Sequence, residues 1–353
     1  MVLILLVVVV LAGAGIGVLT ILEYRPADVE EETCQAPADG SEASTLTQGQ
    51  SLKVMTWNIG FAGLGEEADF FMDGGSSVIP TDEETVGLNL GAIEAEIASV
   101  DPDLLLLQEV DRDSKRTYHI DETESIRQYL DNYCSSFSYN YYCEYVPYPL
   151  PTLGRIKSGI MTLSKYNIYE SSRISLPCPF QWPVRLANLK RCLSVNRLAI
   201  EGSDKELVLV NLHLEAYDSG EGKAAQTAQL RELLMEEAKA GNYVIAGGDF
   251  NQTFSNVDIS KYGQENYAED LWRAGTIDAD EFEEPLSLIM DADTPTCRSL
   301  DQPYAGADPD NFAYYVIDGF ILSDNLTVES LETLDLGFVN SDHNPVVLEV
   351  ELN

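Results

Sequence analysis

The sequence predicts a mixed α/β domain, and three observations carry that expectation. Seven short runs dominated by Val, Ile and Leu recur between residues 51 and 353. Between some of them lie segments whose apolar residues repeat at three and four positions, the helical period. Apolar residues make up 45% of the chain, enough to bury a substantial core. A chain of 353 residues holds one large domain or two ordinary ones. With no internal repeat, one domain over 51–353 is the expectation.

Taken in order, residues 2–22, "VLILLVVVVLAGAGIGVLTIL", contain no charged side chain. At 1.5 Å per residue they span roughly 30 Å, the thickness of a bilayer core. A cleaved signal peptide has a basic start and a shorter apolar stretch; neither is present, although Ala12-Gly13-Ala14 offers a small-residue cleavage site. Residues 1–22 are therefore expected to be an N-terminal transmembrane helix, a single-pass membrane anchor with the rest of the chain extracytoplasmic. Residues 23–50, rich in Glu, Ala, Ser, Thr and Gln, read as an acidic flexible tether.

The expected strands are "LKVMTWNI" (52–59), "DLLLLQEV" (103–110), "SGIMTLS" (158–164), "ELVLVNLHL" (206–214), "NYVIAGGDF" (242–250), "YVIDGFILS" (315–323) and "NPVVLEVEL" (344–352). Nearly continuous apolar content suits strands buried on both faces. "ETVGLNLGAIEAEIASV" (84–100) reads as a helix stopped by Asp101-Pro102. "GKAAQTAQLRELLMEEAKAGN" (222–242) reads as a second, capped near Gly241-Asn242. The polar stretches 62–83, 111–157 and 255–314 read as loops around one rim.

The formal net charge of −38 weakens any nucleic-acid reading, because such a surface repels polyphosphates at long range. Six cysteines, Cys34, Cys134, Cys143, Cys178, Cys192 and Cys297, show no CxxC or Cys/His ligand spacing, which argues against zinc. Cys134 with Cys143, and Cys178 with Cys192, would close short disulfide loops; free thiols are the equal alternative.

The chemistry lies where polar groups interrupt or end the strand-like runs. Asn58 follows "VMTW", Glu109 follows "LLLLQ", and His213 interrupts "LVLVNLHL". Asp249 and Asn251 follow "VIAGG", Asp318 interrupts "YYVIDGFIL", and Asp342-His343 precede "PVVLEVEL". Each alone has an ordinary explanation, such as a turn, a helix cap or a satisfied core histidine. Together they make an oxygen-rich, hard site of the kind Mg²⁺ or Mn²⁺ prefers, with two imidazoles beside it. Metal, water-activating carboxylate and imidazolium are what phosphoester hydrolysis needs. Gly247-Gly248 before Asp249 read as a place where backbone approaches a ligand closely.

In order, "TWN", "LLLLQEVD", "SGIMTLSKY", "LVLVNLHL", "IAGGDFN", "IDGFILS" and "SDHNPV" resemble the endonuclease/exonuclease/phosphatase superfamily, which includes deoxyribonuclease-I-like nucleases and sphingomyelinases. The resemblance covers about 53–352 and implies a four-layer α/β sandwich, two mixed β-sheets flanked by helices, here in a membrane-anchored bacterial-type member. It further implies Glu109, Asn58 and Asp342 as metal ligands. Asp249 would activate water and Asn251 position the phosphate, while His213 and His343 would stabilise the transition state, with Asp318 behind His343. The loops "FFMDGGSSVIP" (70–80), "PCPFQWPVRLANLKRC" and "TPTCRSLDQPYAGADPDNFAYY" (294–315) depart from substrate loops of that family. Arg298, in the last of them, is expected to contact a substrate phosphate, whereas Arg155, Lys157, Arg185 and Lys190 read as surface charges, as does His119. The expected function is metal-dependent phosphodiester hydrolysis of a lipid head group, small phosphodiester or nucleic acid. An extracellular Mg-dependent nuclease and a non-catalytic surface binding module are the alternatives.

Overall fold

Apolar runs that bury both faces must satisfy their backbone N–H and C=O groups in sheet ladders. The computed structural model describes residues 2–218, 220–263 and 271–353. Its first half contains α1 (Val2–Ile21), β1 (Val29–Glu31), β2 (Leu46–Thr47), β3 (Ser51–Asn58), α2 (Glu83–Val100), β4 (Leu104–Asp111), α3 (Glu122–Tyr129), β5 (Cys134–Val146), β6 (Gly154–Ser164) and β7 (Ile168–Ser175). The second half begins with β8 (Cys192–Glu201), β9 (Glu206–His213), α4 (Glu221–Lys239), β10 (Tyr243–Asp249), β11 (Gln252–Phe254) and β12 (Gly275–Ile277). It ends with β13 (Leu286–Ile289), β14 (Cys297–Arg298), β15 (Tyr314–Tyr315), β16 (Asp318–Ser323), β17 (Leu326–Thr333) and β18 (Val346–Leu352).

One sheet runs β1-β7-β8-β9-β10-β16-β13, with β2 beside β8; the other runs β17-β18-β3-β4-β6-β5. Both are mixed: β9 and β10 are parallel, as are β3 and β4, while β10 and β16 are antiparallel. Val54, Leu104, Leu106 and Leu348 of one sheet pack against Leu207, Leu209, Ile245 and Phe320 of the other. On the outer faces, Leu230 and Leu234 of α4 meet Val208, Val210 and Val244. Val86, Leu90 and Ile93 of α2 and Ile126 of α3 meet Met55, Leu105 and Leu107. Helix, sheet, sheet and helix make the expected four-layer sandwich. Leu104 and Leu106 face the other sheet while Leu105 and Leu107 face the helices, which is why this strand reads as an unbroken apolar run.

Helix α2 starts at Asp82, whose carboxylate accepts from the Thr85 N–H at 2.9 Å, and stops at Asp101 in the left-handed conformation before Pro102. The expected loop 111–157 instead contains α3 and the thirteen-residue β5. Strand β5, "CSSFSYNYYCEYV", is polar and aromatic because it lies at a sheet edge, so it carries no apolar run. Cys134 and Cys143 lie on this one extended strand and cannot bond to each other; all six thiols are free.

The transmembrane expectation is overturned. Among the described residues no helix is long and apolar enough to cross a membrane. The single-pass anchor and the extracytoplasmic placement drawn from it fall together. Residues 23–50, expected as a free tether, lie against the domain instead. Strand β1 pairs with β7, Gln35 and Ser135 exchange backbone hydrogen bonds of 2.8 and 2.9 Å, and Leu46 is fully buried.

The reading of Gly247-Gly248 as a ligand approach is corrected too. A Cβ on Gly247 would lie 2.6 Å from the Phe320 ring, and one on Gly248 2.0 Å from the Leu212 carbonyl oxygen. These glycines serve the packing of β10 on its neighbours. Gly248→Ala is therefore expected to destabilise the fold by about 3 kcal/mol in denaturant titration; a change below about 0.5 kcal/mol would refute the packing argument.

Glu122 is fully buried and accepts the Asp111 N–H at 2.7 Å, while Asp111 is engaged by Arg116 at 2.9 and 3.0 Å. Burial, then the Asp111 charge, raises the Glu122 carboxyl well above the usual range. The stability carried by its protonated form is full below the unfolded carboxylate pKa and is lost as pH rises toward the folded value. Glu122→Gln keeps an acceptor and removes that titration. Its Tm should match the parent at about pH 4 and exceed it by about 4 °C at about pH 8; equal gains at both pH values would refute a buried, protonated Glu122.

Candidate active site

The site forms where the ends of the two sheets meet. In the first sheet, strand register sets Asp249 of β10 opposite His213 of β9 on one side and Asp318 of β16 on the other. Neighbouring strands lie about 4.8 Å apart, so three residues remote in sequence become lateral neighbours. In the second sheet, Asn58 ends β3 beside Gln108 of β4. The pairing of β4 with β6 breaks between Leu107 and Val110, and Glu109 takes a positive φ of 55° within that irregularity. A bulge of this kind re-aims a side chain, here the one of the four carboxylates Glu109, Asp249, Asp318 and Asp342 that stays partly exposed.

The turn "NSDHNP" is held from several directions. Trp57 Nε1 donates to the His343 carbonyl at 2.9 Å, and Ser341 Oγ donates to the Asn58 carbonyl at 2.8 Å. The Arg298 N–H donates to the Asp342 carbonyl at 3.1 Å, and Asn344 Nδ2 to the Pro295 carbonyl at 3.0 Å. These bonds present Asp342 and His343 to the same space as the strand-end residues. Gly60, at φ 52°, passes so close that a Cβ there would lie 2.8 Å from Asp342 Oδ1.

The side chains converge on Asp249. Asn58 Nδ2 donates to Asp249 Oδ2 at 3.0 Å and to Glu109 Oε1 at 3.2 Å, and the Asn251 N–H donates to Asp249 Oδ1 at 2.8 Å. His213 Nε2 and His343 Nε2 lie 3.5 and 3.8 Å from Asp249 Oδ2. The second nitrogen of His343, Nδ1, meets Asp318 Oδ2 at 2.9 Å. All eight expected catalytic and metal residues thus meet at one rim.

Electrostatics divides the histidines. Burial, reinforced by the nearby Arg191 cation, pushes His213 well below the usual imidazole range, so it is neutral. Burial works against a cation at His343 as well, but Cys297 and the Asp318 and Asp342 carboxylates outweigh it and raise that pKa. The Cys297 thiol is itself pushed up to about 12 by burial and stays neutral, so the two carboxylates hold the His343 proton. Burial, then the Asp318 charge, raises Asp249 to about 7. Burial raises Asp342 to about 6, with Glu109 adding to the shift and His343 opposing it.

The donor set suits a hard cation. Asp342 Oδ1 and Asp318 Oδ1 are buried with no hydrogen-bond partner among the described residues, Glu109 lies near enough to raise the Asp342 carboxyl, and the Asn58 oxygen accepts the Gly60 N–H at 3.1 Å. The tightest groupings of ligand-type atoms, within 4.8 Å of one another, are Asp249–Asp318–His343 and Cys297–Asp342–His343; both centre on His343 rather than on Glu109. The Cys297 neighbour is invisible to spacing rules, because 46 positions separate it from His343 and only the bridge between them brings the pair together.

Arg298 is placed otherwise than expected. It is 1% exposed, and its Nη atoms donate to the carbonyls of Ser299 at 2.9 Å and Gly65 at 2.8 Å. It fastens the loop after β3 to the loop before β16. Asn251 Nδ2 likewise donates to the Leu214 carbonyl at 2.9 Å. His119 is a surface residue bonded to Asp113 at 2.6 Å, as expected.

Sequence reasoning missed Asp73, Tyr217 and Arg116. Tyr217 Oη donates to Asp73 Oδ1 at 2.9 Å, joining the 70–80 loop to the segment after β9. Burial raises Asp73 to about 7, with Asp342 and Glu109 contributing, so it faces the site. Arg116 stacks over Phe61 at 3.6 Å while paired to Asp111. None of the three interrupts or ends one of the strand-like runs, which was the only signal available.

No curated protein matches the chain. Among solved structures, the endonuclease/exonuclease/phosphatase from Beutenbergia cavernae aligns with a TM-score of 0.60 at 19% identity, covering 86% of this chain and 72% of that one. The human Nocturnin catalytic domain with bound sulfate anion aligns with a TM-score of 0.51 at 18% identity, covering 90% and 99%. The endonuclease/exonuclease/phosphatase from Bacteroides vulgatus aligns at 0.51 and 14%, covering 86% and 100%. At such identities the likeness is one of fold, and with bacterial and human matches alike it does not single out a bacterial-type member. The model of the Endonuclease/Exonuclease/phosphatase family, however, matches residues 55–343, which span all eight residues expected as catalytic or metal-binding. The chain therefore belongs to the Endonuclease/Exonuclease/phosphatase family and is a hydrolase of the phosphoesterase and nuclease class.

Proposed function

We propose that this hydrolase is a divalent-metal-dependent phosphodiesterase in which Asp249 takes the proton of the attacking water. The observation that carries the reading is the environment of Asp249. Its carboxylate is oriented by Asn58 and the Asn251 N–H and flanked by His213 and His343, the latter backed by Asp318. A carboxyl raised toward neutrality by burial is a competent base for water at ordinary pH.

Glu109, Asn58 and Asp342 would hold Mg²⁺ or Mn²⁺, an all-oxygen set of the kind these hard cations take. Bound there, the cation supplies charge neutralisation for the phosphate oxygens. His343 directs its Nε2–H toward the same space, where it can stabilise negative charge gathering on a phosphate oxygen. Asp318 fixes the ring and its tautomer through Nδ1. His213, neutral, is a hydrogen-bond donor at the other flank of Asp249, and Asn251 orients both Asp249 and the chain toward Leu214. The net charge of −38 favours small or lipid-headgroup phosphodiesters over long nucleic acid, whose binding rests on phosphate neutralisation.

On a 4-nitrophenyl phosphodiester with Mg²⁺, Asp249→Asn should lower kcat about 10³-fold and His343→Gln about 10²-fold, with circular dichroism unchanged. Parental rates in either variant would remove that residue from the mechanism. EDTA should abolish turnover, and Mg²⁺ or Mn²⁺ should restore it; activity that survives EDTA would contradict the metal assignment. By calorimetry, Glu109→Gln should weaken Mg²⁺ binding at least about tenfold, in the range found when a metal-site partner is lost.

A further inference from the structure

The catalytic rim forms the floor of a cavity of about 380 Å³, a volume typical of small-molecule sites. Three sequence segments that depart from the family pattern wall it. Phe71 comes from the 70–80 loop, Phe180 and Leu189 from the segment between β7 and β8, and Leu300 from the loop after β14. Trp272 and Tyr148 complete walls that are mainly aromatic and aliphatic. The Tyr217–Asp73 bond joins two of the segments that line it.

Charge decides what such a cavity accepts. Among the described residues three arginines line it besides the two histidines of the floor, and each is engaged with protein groups. Arg116 is paired with Asp111. Arg191 donates to the His213 carbonyl at 3.1 Å and lies 3.4 Å from Glu215. Arg298 places its Nη atoms on backbone carbonyls, while its Nε has no hydrogen-bond partner among the described residues. The same walls carry the carboxylates of Asp73, Glu109, Glu215, Asp249 and Asp342. A strand of nucleic acid, with a phosphate at every step, would meet an acidic, mainly apolar enclosure whose few cations lie at the catalytic floor or against carboxylates and carbonyls.

Resting on the phosphodiesterase reading, we infer that the substrate is a phosphoester bearing one bulky, uncharged apolar substituent, aryl or alkyl, which the cavity holds while its phosphate sits on the catalytic floor. In the reaction the oxygen of water joins phosphorus and one P–O ester bond breaks. One proton of water, taken up by Asp249, leaves on the released alcohol or phenol, and the other stays with the new phosphate oxygen or ionises to solvent. Apolar burial supplies the selectivity, because each methylene removed from water adds a roughly constant increment of binding.

The test uses the full chain with Mg²⁺ and 4-nitrophenyl phosphodiesters whose second substituent is methyl, octyl, phenyl or thymidine. The kcat/KM for the octyl or phenyl ester should exceed that of the methyl ester at least tenfold, and the thymidine ester should not. A gain with phenyl alone identifies an aryl phosphoester; a gain with octyl identifies a lipid-type one. Phe180→Ala and Tyr148→Ala should each remove most of that gain and leave the methyl ester rate and the Tm as in the parent. In parallel, calorimetry should find phenylphosphonate bound at least tenfold more tightly than methylphosphonate, a readout that needs no turnover. Hydrolysis of every ester at equal kcat/KM, or fastest for thymidine, would overturn this inference and leave the phosphodiesterase reading intact. No hydrolysis of any ester, with phenylphosphonate still preferred, would overturn the phosphodiesterase reading and keep the apolar subsite.

Discussion

Folding concentrates negative charge where water is scarce, and the rest of the structure answers to that constraint. Asp249, Asp318 and Asp342 are each at most 6% exposed and lie around one imidazole. An isolated buried carboxylate would take up a proton or unfold the site, so the group is stable only as a set. His343 supplies the compensating positive charge, and the Asn58 amide supplies a shared donor. The strand register, the irregularity at Glu109 and the many bonds to the "NSDHNP" turn all act to keep these few groups together.

Beneath that rim lies a second polar layer that makes the platform stiff. Gln108 Nε2 donates to Asn211 Oδ1 at 2.8 Å across the two sheets, and Asn211 Nδ2 reaches the Leu107 and Met161 carbonyls at 3.1 and 3.0 Å. Both residues are fully buried, one directly before Glu109 and the other two positions before His213. A satisfied network in a low-dielectric interior penalises any slip of one sheet over the other. The groups proposed for catalysis therefore sit on rigid strand ends, with loops around them that pack less regularly.

Much of the site was legible because its residues violate a local rule. Asp249 after "VIAGG" and His213 inside "LVLVNLHL" place polar groups in runs that should be buried, and a functional role is the common reason for such a violation. Asp73 and Tyr217 broke no rule, since a carboxylate in a Gly-Ser loop and a tyrosine after a strand are ordinary. Arg298 misled for the opposite reason: a lone cation in a departing loop looks available until the carbonyls of Gly65 and Ser299 are seen around it. Strand β5 was hidden because an edge strand can pair through its backbone with polar side chains throughout.

By itself, the sequence determined the alternation of strands and helices, the residue types at the strand ends and the family they resemble. These follow from hydrophobic period and from the high cost of burying a polar group, both local properties of the chain. Only the tertiary structure decided that Asp249 lies between His213 and Asp318, that Cys297 touches His343, and that Gly247 and Gly248 serve packing. It also decided that among the described residues no helix is long and apolar enough to cross a membrane and that residues 23–50 lie along a sheet. Those facts depend on register and on contacts between segments dozens to hundreds of residues apart, and no property of a single segment contains them.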